Sequence, residues 1–462
     1  MNHAAGSSPT RSPSLARTVT TGGLFLFILG DVLGAGVYAL VGIIAGEVGG
    51  VTWAPMLVAL LLALLTAASY AELVTKYPRA GGAAVFAHRA FRVPIVPYLV
   101  GFCMLTAGVV SASALALAFS GDYLAVFVDV PPAAGAIVFL VAIALLNARG
   151  IKESLRANVV MTALEVSGLV LVVVAVAVML GGGGGDVGRA VRFGEDVDPL
   201  LGVLGAALLA YYSFVGFETS ANMAEEVRDV SRVYPRALFG SLLVAGAMYV
   251  LVGTAASVAL PADRLESSSA PLLDVVTATG VPVPGWLFSL LALVAVANGA
   301  LLTMIMASRL TYGMAVQGLF PAVLGRVLPG RGTPWVAIVV TTLAALALTL
   351  TGGVAVLAET VVLLLLIVFI STNVAVLVLR REAVEHRHFR AWTPLPVLAV
   401  LSCLVLLTQL EAGVWARGGI VLAVGVLLYA VARVRGGQPV RYRRAEEAGD
   451  RGAGTGRPAE RR

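Results

Sequence analysis

Of its 462 residues the chain spends only two on cysteine and four on histidine, and only 13% are charged. Lysine is just as scarce, with Lys76 and Lys152 alone. Each shortage removes a class of function. The two lysines follow Thr75 and Ile151 rather than glycine, so no phosphate-cradling Walker A string exists and ATP hydrolysis by this chain is excluded. Cys103 and Cys403 lie inside apolar segments and read as small buried hydrophobes, not a disulfide. No cysteine or acidic set surrounds His3, His88, His386 or His388, so neither a metal nor a cofactor is expected. A soluble domain carries about 25% charged residues. Here half of that is missing while 59% of residues are hydrophobic, more apolar surface than a water-soluble fold can hide. The net charge of +6 does not indicate nucleic acid, because the basic residues lie in short loops and tails and form no stripe.

What the chain has is long apolar runs. A helix needs about 20 residues to cross the hydrocarbon core, and twelve segments approach that: 22–46, 52–74, 95–119, 132–148, 156–181, 200–222, 237–260, 284–308, 334–351, 356–380, 395–410 and 418–434. Residues 1–20 show no signal-peptide cleavage pattern and read, like 436–462, as a polar tail. Gly181 to Gly185 with Asp186 reads as an external linker. Of the 32 lysines and arginines, all but Arg189, Arg192, Arg264 and Arg417 then fall on one side. The positive-inside rule makes that side cytoplasmic, with both termini on it.

Two of the segments are interrupted. The first breaks at Gly30-Asp31-Val32-Leu33-Gly34-Ala35-Gly36 and the sixth at Ser213-Phe214-Val215-Gly216-Phe217-Glu218. The breaks are five spans apart, an odd number, so the two halves have opposite orientations, as in transporters built from inverted repeats. Gly34, Ala35 and Gly36 let the backbone leave helical geometry and approach a ligand. The N–H groups freed there, at the positive end of a helix dipole, suit a carboxylate. The same stretch, as Gly30-x-x-x-Gly34, also serves as a packing face for a continuous helix. Gly34-x-Gly36-x-x-Ala39 imitates a dinucleotide fingerprint, but no strand precedes it.

At the sixth segment Gly216 stands where a kink exposes carbonyls, acceptors for an ammonium group. Anion donors beside cation acceptors match an amino acid zwitterion. Tyr212 is placed either to cap that site or simply to pack. Asp31, Glu165 and Glu218 are carboxylates inside spans, where an ionisable group usually faces a cavity or a proton relay. A neutral carboxyl bonded to a neighbouring helix is the other reading.

Several strings, taken together, resemble the amino acid–polyamine–organocation superfamily, and within it the cationic amino acid transporter branch and its bacterial relatives. They are Leu33-Gly34-Ala35-Gly36-Val37-Tyr38, Tyr77-Pro78-x-x-Gly81-Gly82, Gly150-Ile151-Lys152-Glu153-Ser154, Phe214-Val215-Gly216-Phe217-Glu218, Glu225-Glu226-Val227, and Ala307-Ser308-Arg309-Leu310 with Gly318-Leu319-Phe320-Pro321. These motifs run from about residue 22 to 325; beyond Pro334 the resemblance rests on span count and on Phe389-Arg390 to Pro394-x-Pro396. The resemblance implies an all-α membrane protein of 12 transmembrane helices. A five-plus-five inverted-repeat core with discontinuous helices 1 and 6 would occupy 21–380, and two further helices 381–435, between the tails 1–20 and 436–462.

The same resemblance implies proton-coupled uptake or exchange of amino acids across the cytoplasmic membrane, with the amino acid, protons and lipid as partners and no obligate protein partner. It maps the substrate carboxylate onto Gly34, Ala35 and Gly36, after Leu33. The substrate amine maps onto the carbonyls of Val32, Phe214 and Val215, beside Gly216 and Phe217. The gating aromatic maps onto Tyr212 and a proton-sensing acid onto Glu218. Two departures stand out. Asp31 replaces a small or apolar residue, and Glu165 falls where some proton-coupled members carry a lysine in place of a sodium ion. The charge is reversed there, so the relatives' coupling does not simply carry over; proton coupling is expected at Asp31, Glu165 and Glu218, with Asp31 and Glu165 close enough to share a proton. Extra acid also favours cationic ligands, which keeps a polyamine or organic-cation carrier as a rival, beside a transporter-like nutrient sensor.

Overall fold

The computed structural model describes residues 19–33, 36–78, 81–149, 154–195, 197–328 and 332–434. The motif residues Gly34, Ala35, Arg79 and Gly150 to Glu153, together with most of both tails, lie outside them. Helices account for nearly all of the described chain: α1 (Thr21–Leu33), α2 (Gly36–Val48), α3 (Trp53–Lys76), α4 (Gly82–Ala90), α5 (Ile95–Phe119), α6 (Asp122–Ala125), α7 (Pro132–Arg149), α8 (Ser154–Gly181), α9 (Pro199–Tyr212), α10 (Val230–Ala259), α11 (Ala262–Glu266), α12 (Pro271–Ala278), α13 (Gly285–Val316), α14 (Trp335–Leu348), α15 (Val354–Leu379), α16 (Pro394–Thr408) and α17 (Ala412–Val434). Among the described residues the only extended pairing is an isolated bridge between Val19 and Val227.

Among the described residues, eight of these helices and a ninth stretch, Pro199–Glu226, that joins α9 to the turn of chain after it are long and apolar enough to cross a bilayer, and the bent pair α1–α2 makes a tenth. The apolar helices α14 and α16 are shorter. The expected twelve segments therefore all reappear as helices, with shifted ends. Helix α10 starts at Val230, a full turn and more before the expected 237, and carries Pro235 inside its first turns. Helix α13 runs on to Val316, so Ala307 to Leu310 continue the helix and do not follow it. The tight helices α11 and α12 between Ala259 and Gly285 carry no strong sequence signal.

Position in the bundle follows the apolar pattern. Helix α5 is apolar on all sides and mostly buried, whereas α7, α8, α14 and α17 turn Leu145, Val160, Leu343 and Leu427 outward. Such a belt of exposed aliphatics suits lipid and would aggregate in water. Helix starts use ordinary chemistry: the Asp198 carboxylate accepts from Leu200 N and Leu201 N, each at 2.9 Å, with Pro199 in the first turn.

The two ends of the bundle are tied differently. At one end Arg380 grips Glu72 with two nitrogens, Nε to Oε1 at 2.9 Å and Nη2 to Oε2 at 2.7 Å. Lys76 Nζ donates there to the carbonyls of Leu379 and Glu382 at 2.6 and 2.7 Å. At the other end Arg189 Nη1 donates to Val258 O at 3.2 Å, and Gly50 N to Arg192 O at 2.9 Å. Glu72 is thus a further buried carboxylate inside a span, and its partner comes from just beyond the end of α15.

Candidate functional site

The two interruptions meet in the middle of the bundle. Helix α1 stops at Leu33, α2 starts at Gly36, and their axes bend by 43°. Helix α9 stops at Tyr212, and Ser213 N, Phe214 N and Val215 N turn back onto the carbonyls of Ala210, Tyr211 and Tyr212 at 3.0–3.1 Å. From Phe217 to Glu226 the chain continues as a tighter 3-10 helix. Gly216 has φ +126°, which side-chain-bearing residues rarely adopt.

Each break packs on the other. A Cβ on Gly36 would stand 2.7 Å from Ser213 Cα, and one on Gly216 would stand 2.8 Å from Asp31 O. Neither glycine can take a side chain without moving the opposite backbone. The Tyr249 hydroxyl from α10 joins the two: it lies 2.5 Å from Val32 O and 2.9 Å from Ser213 O. The Phe214 ring meets the Tyr249 ring edge-on, with centroids 5.2 Å apart.

Of the residues singled out from the sequence, Val32, Leu33, Gly36, Phe214, Val215 and Gly216 come together at this junction, while Gly34 and Ala35 lie outside the described residues. Phe217 turns away. Its ring stacks on Phe369 at 5.5 Å and meets Tyr70 at 5.6 Å, so its side chain belongs to an aromatic cluster of the core. Tyr212 is held by Ser111 of α5, 2.9 Å between hydroxyls, so the expected gate bridges α9 to α5.

The three expected acids fall into two groups. Asp31 Oδ2 accepts from Thr219 Oγ1, which also lies 2.8 Å from Gly216 O, and Glu218 Oε2 accepts from Gly216 N at 2.9 Å. These two acids therefore brace the second break from either side. Glu165 of α8, fully buried, accepts at Oε1 from Asn298 Nδ2 of α13 at 3.0 Å, while its Oε2 has no partner among the described residues. Asn298 Nδ2 also lies 3.4 Å from Asn158 Oδ1. The structure thus gives Asp31 and Glu165 separate hydrogen-bond partners. Gly30 presses its backbone onto Thr162 and Asn158, so the small-residue packing reading holds for that glycine.

Four partners at the centre escaped the sequence reading: Tyr249, Thr219, Asn158 and Asn298. The asparagines carried a usable signal, because an amide inside an apolar span needs an internal partner. Tyr249 and Thr219 carried none.

The amino acid permease family has a sequence profile that matches residues 20–425. The chain is 27% identical to the branched-chain amino acid permease BcaP of Bacillus subtilis, over 90% of this chain and 93% of that protein. It is 25% identical to the methylthioribose transporter of the same bacterium, over 92% and 95%. It is 29% identical to the vacuolar cationic amino acid transporter 4 of Arabidopsis thaliana, over 79% of this chain and 64% of that protein. The motifs that suggested the superfamily therefore sit inside a match that covers most of the chain. The chain belongs to the amino acid permease family, and it is a multi-pass membrane transport protein, not an enzyme.

Proposed function

We propose that this chain moves amino acids across the cytoplasmic membrane by alternating access. The observation that carries the reading is the mutual packing of the two breaks, Gly36 on Ser213 and Gly216 on Asp31, pinned by Tyr249. It sets the N-terminus of a 13-residue helix beside helix-end carbonyls, which is the complement of a zwitterion. In this reading the substrate carboxylate sits on the N–H groups of Gly34 to Gly36. The amine takes the carbonyls of Val32, Phe214 and Val215, and Tyr212 closes over the site.

The remaining assignments belong to the same proposal. There are twelve spans when α1–α2 counts as one and α14 and α16 are included. The inverted-repeat core is 21–380, helices 381–435 are an addition to it, and the tails 1–20 and 436–462 face the cytoplasm with the basic end of the bundle. Protons drive accumulation through Asp31, Glu165 and Glu218. The Glu165–Asn298–Asn158 set supports a role for Glu165, because a buried carboxyl with one idle oxygen is a place to hold and release a proton.

The test is flux. Full-length protein in proteoliposomes should take up a labelled amino acid, accumulate it when the outside is made acidic, and be inhibited by other amino acids more than by their carboxamides. If spermidine is taken up and no amino acid is, the carrier is one for organic cations. Uptake of methylthioribose alone would remove the zwitterion from the site. Binding without any flux would identify a sensor.

A further inference from the structure

The backbone of Ser213 is fully used. Its N–H donates to Ala210 O at 3.0 Å, and its carbonyl accepts from the Tyr249 hydroxyl at 2.9 Å. Its hydroxyl is idle. Ser213 is only 2% exposed, yet among the described residues its Oγ has no hydrogen-bond partner. Nearby serines behave otherwise: Ser111 pairs with Tyr212 and Ser220 with Tyr234. A buried hydroxyl without a partner is a net loss to the fold, and an alanine would fill the same space without it.

The direction of that hydroxyl is informative. Ser213 Oγ lies 2.8 Å from the position a Cβ on Gly36 would take, so it is turned toward the first residue of α2. Two separate features therefore converge on the junction of the breaks: the N-terminal end of a 13-residue helix, and an unpartnered donor from the opposite break. Both suit an anion.

We propose that Ser213 Oγ is a side-chain donor to the substrate's carboxylate, supplementing the N–H groups at the start of α2. Ser213 then ties the two sides of the junction together: its carbonyl shares the Tyr249 hydroxyl with Val32 O, and its hydroxyl belongs to the anion side. The proposal rests on the amino acid reading above, and it adds a preference: a free carboxylate is held more tightly than its uncharged carboxamide because one donor is a rotatable hydroxyl aimed at that charge.

The test measures binding to purified full-length protein of L-alanine, L-leucine and L-arginine, and of their carboxamides by competition. In Ser213→Ala the dissociation constant of the bound amino acid should rise about tenfold or more, the order expected for losing a hydrogen bond to a charged group. The carboxamides should change by less than about threefold, and the melting temperature without ligand should stay equal or rise. Ser213→Gly removes the same hydroxyl and should give the same loss of selectivity. Unchanged amino acid affinity in both variants, or equal losses for acid and carboxamide, overturns the assignment and leaves the amino acid reading standing. A parent protein that binds none of the three amino acids overturns both.

Discussion

The two breaks in this bundle are made by different means. At the first, the decisive property is lack of bulk: Gly36 sits in a helix and is excluded from carrying a side chain only because Ser213 lies against it. At the second, the backbone itself is unusual, with φ +126° at Gly216 and a 3-10 stretch that follows. At Gly36 the constraint is space, and at Gly216 it is conformation as well. The three expected acids are divided as well. Asp31 and Glu218 brace the second break, whereas Glu165 stands with Asn298 and Asn158 on the α8–α13 side of α1. Among the described residues of the two breaks, Gly216 is the one with a positive φ.

If that contrast is right, Gly216→Ala has the largest effect. It combines backbone strain of about 1–3 kcal/mol with a Cβ driven onto the Asp31 carbonyl. The variant should lose flux and melt well below the parent in detergent; normal flux would show that the conformation at Gly216 is dispensable. Gly36→Val comes next and should separate folding from binding. The protein should insert, with a stability loss of about 1–3 kcal/mol from overpacking, while the thermal shift caused by a bound amino acid disappears. A variant that still binds would move the carboxylate away from α2.

Glu165→Gln is expected to be quieter. It keeps a group that can bond to Asn298 but carries no titratable proton, so counterflow exchange should persist while acid-driven accumulation is lost. Were accumulation to survive there and fail in Glu218→Gln, coupling would belong to the second break. Tyr249→Phe should be the mildest, about 1 kcal/mol for one hydroxyl, visible as a lowered melting temperature. If it costs nothing, the two breaks hold together without that pin.

Much of this architecture was readable from the sequence because membrane helices announce themselves by length and apolar composition. The gap between Leu33 and Gly36 was readable from the small residues clustered there, and the stop after Tyr212 from the single glycine Gly216. What the sequence hid were contacts between distant segments. Nothing local tells that Gly216 lies on Asp31, that Tyr249 reaches both Val32 and Ser213, or that Thr219 bonds to Asp31. Phe217 sat within a binding motif, yet its ring faces Phe369 and Tyr70, a direction fixed by the 3-10 geometry after Gly216. Glu72 stands inside segment 52–74 in plain view, like the other span carboxylates; what the sequence hid was its arginine, about three hundred residues further along the chain.

That last pair has a mechanical consequence. Glu72 is 2% exposed and Arg380 is mostly covered, and Ala391 N and Lys76 add bonds on either side. Leaving either ion dry and alone costs about 3–5 kcal/mol, far above thermal energy. The ends of α3 and α15 are therefore fastened to each other at this face of the bundle, and parting them means stripping two buried ions of their partners at once.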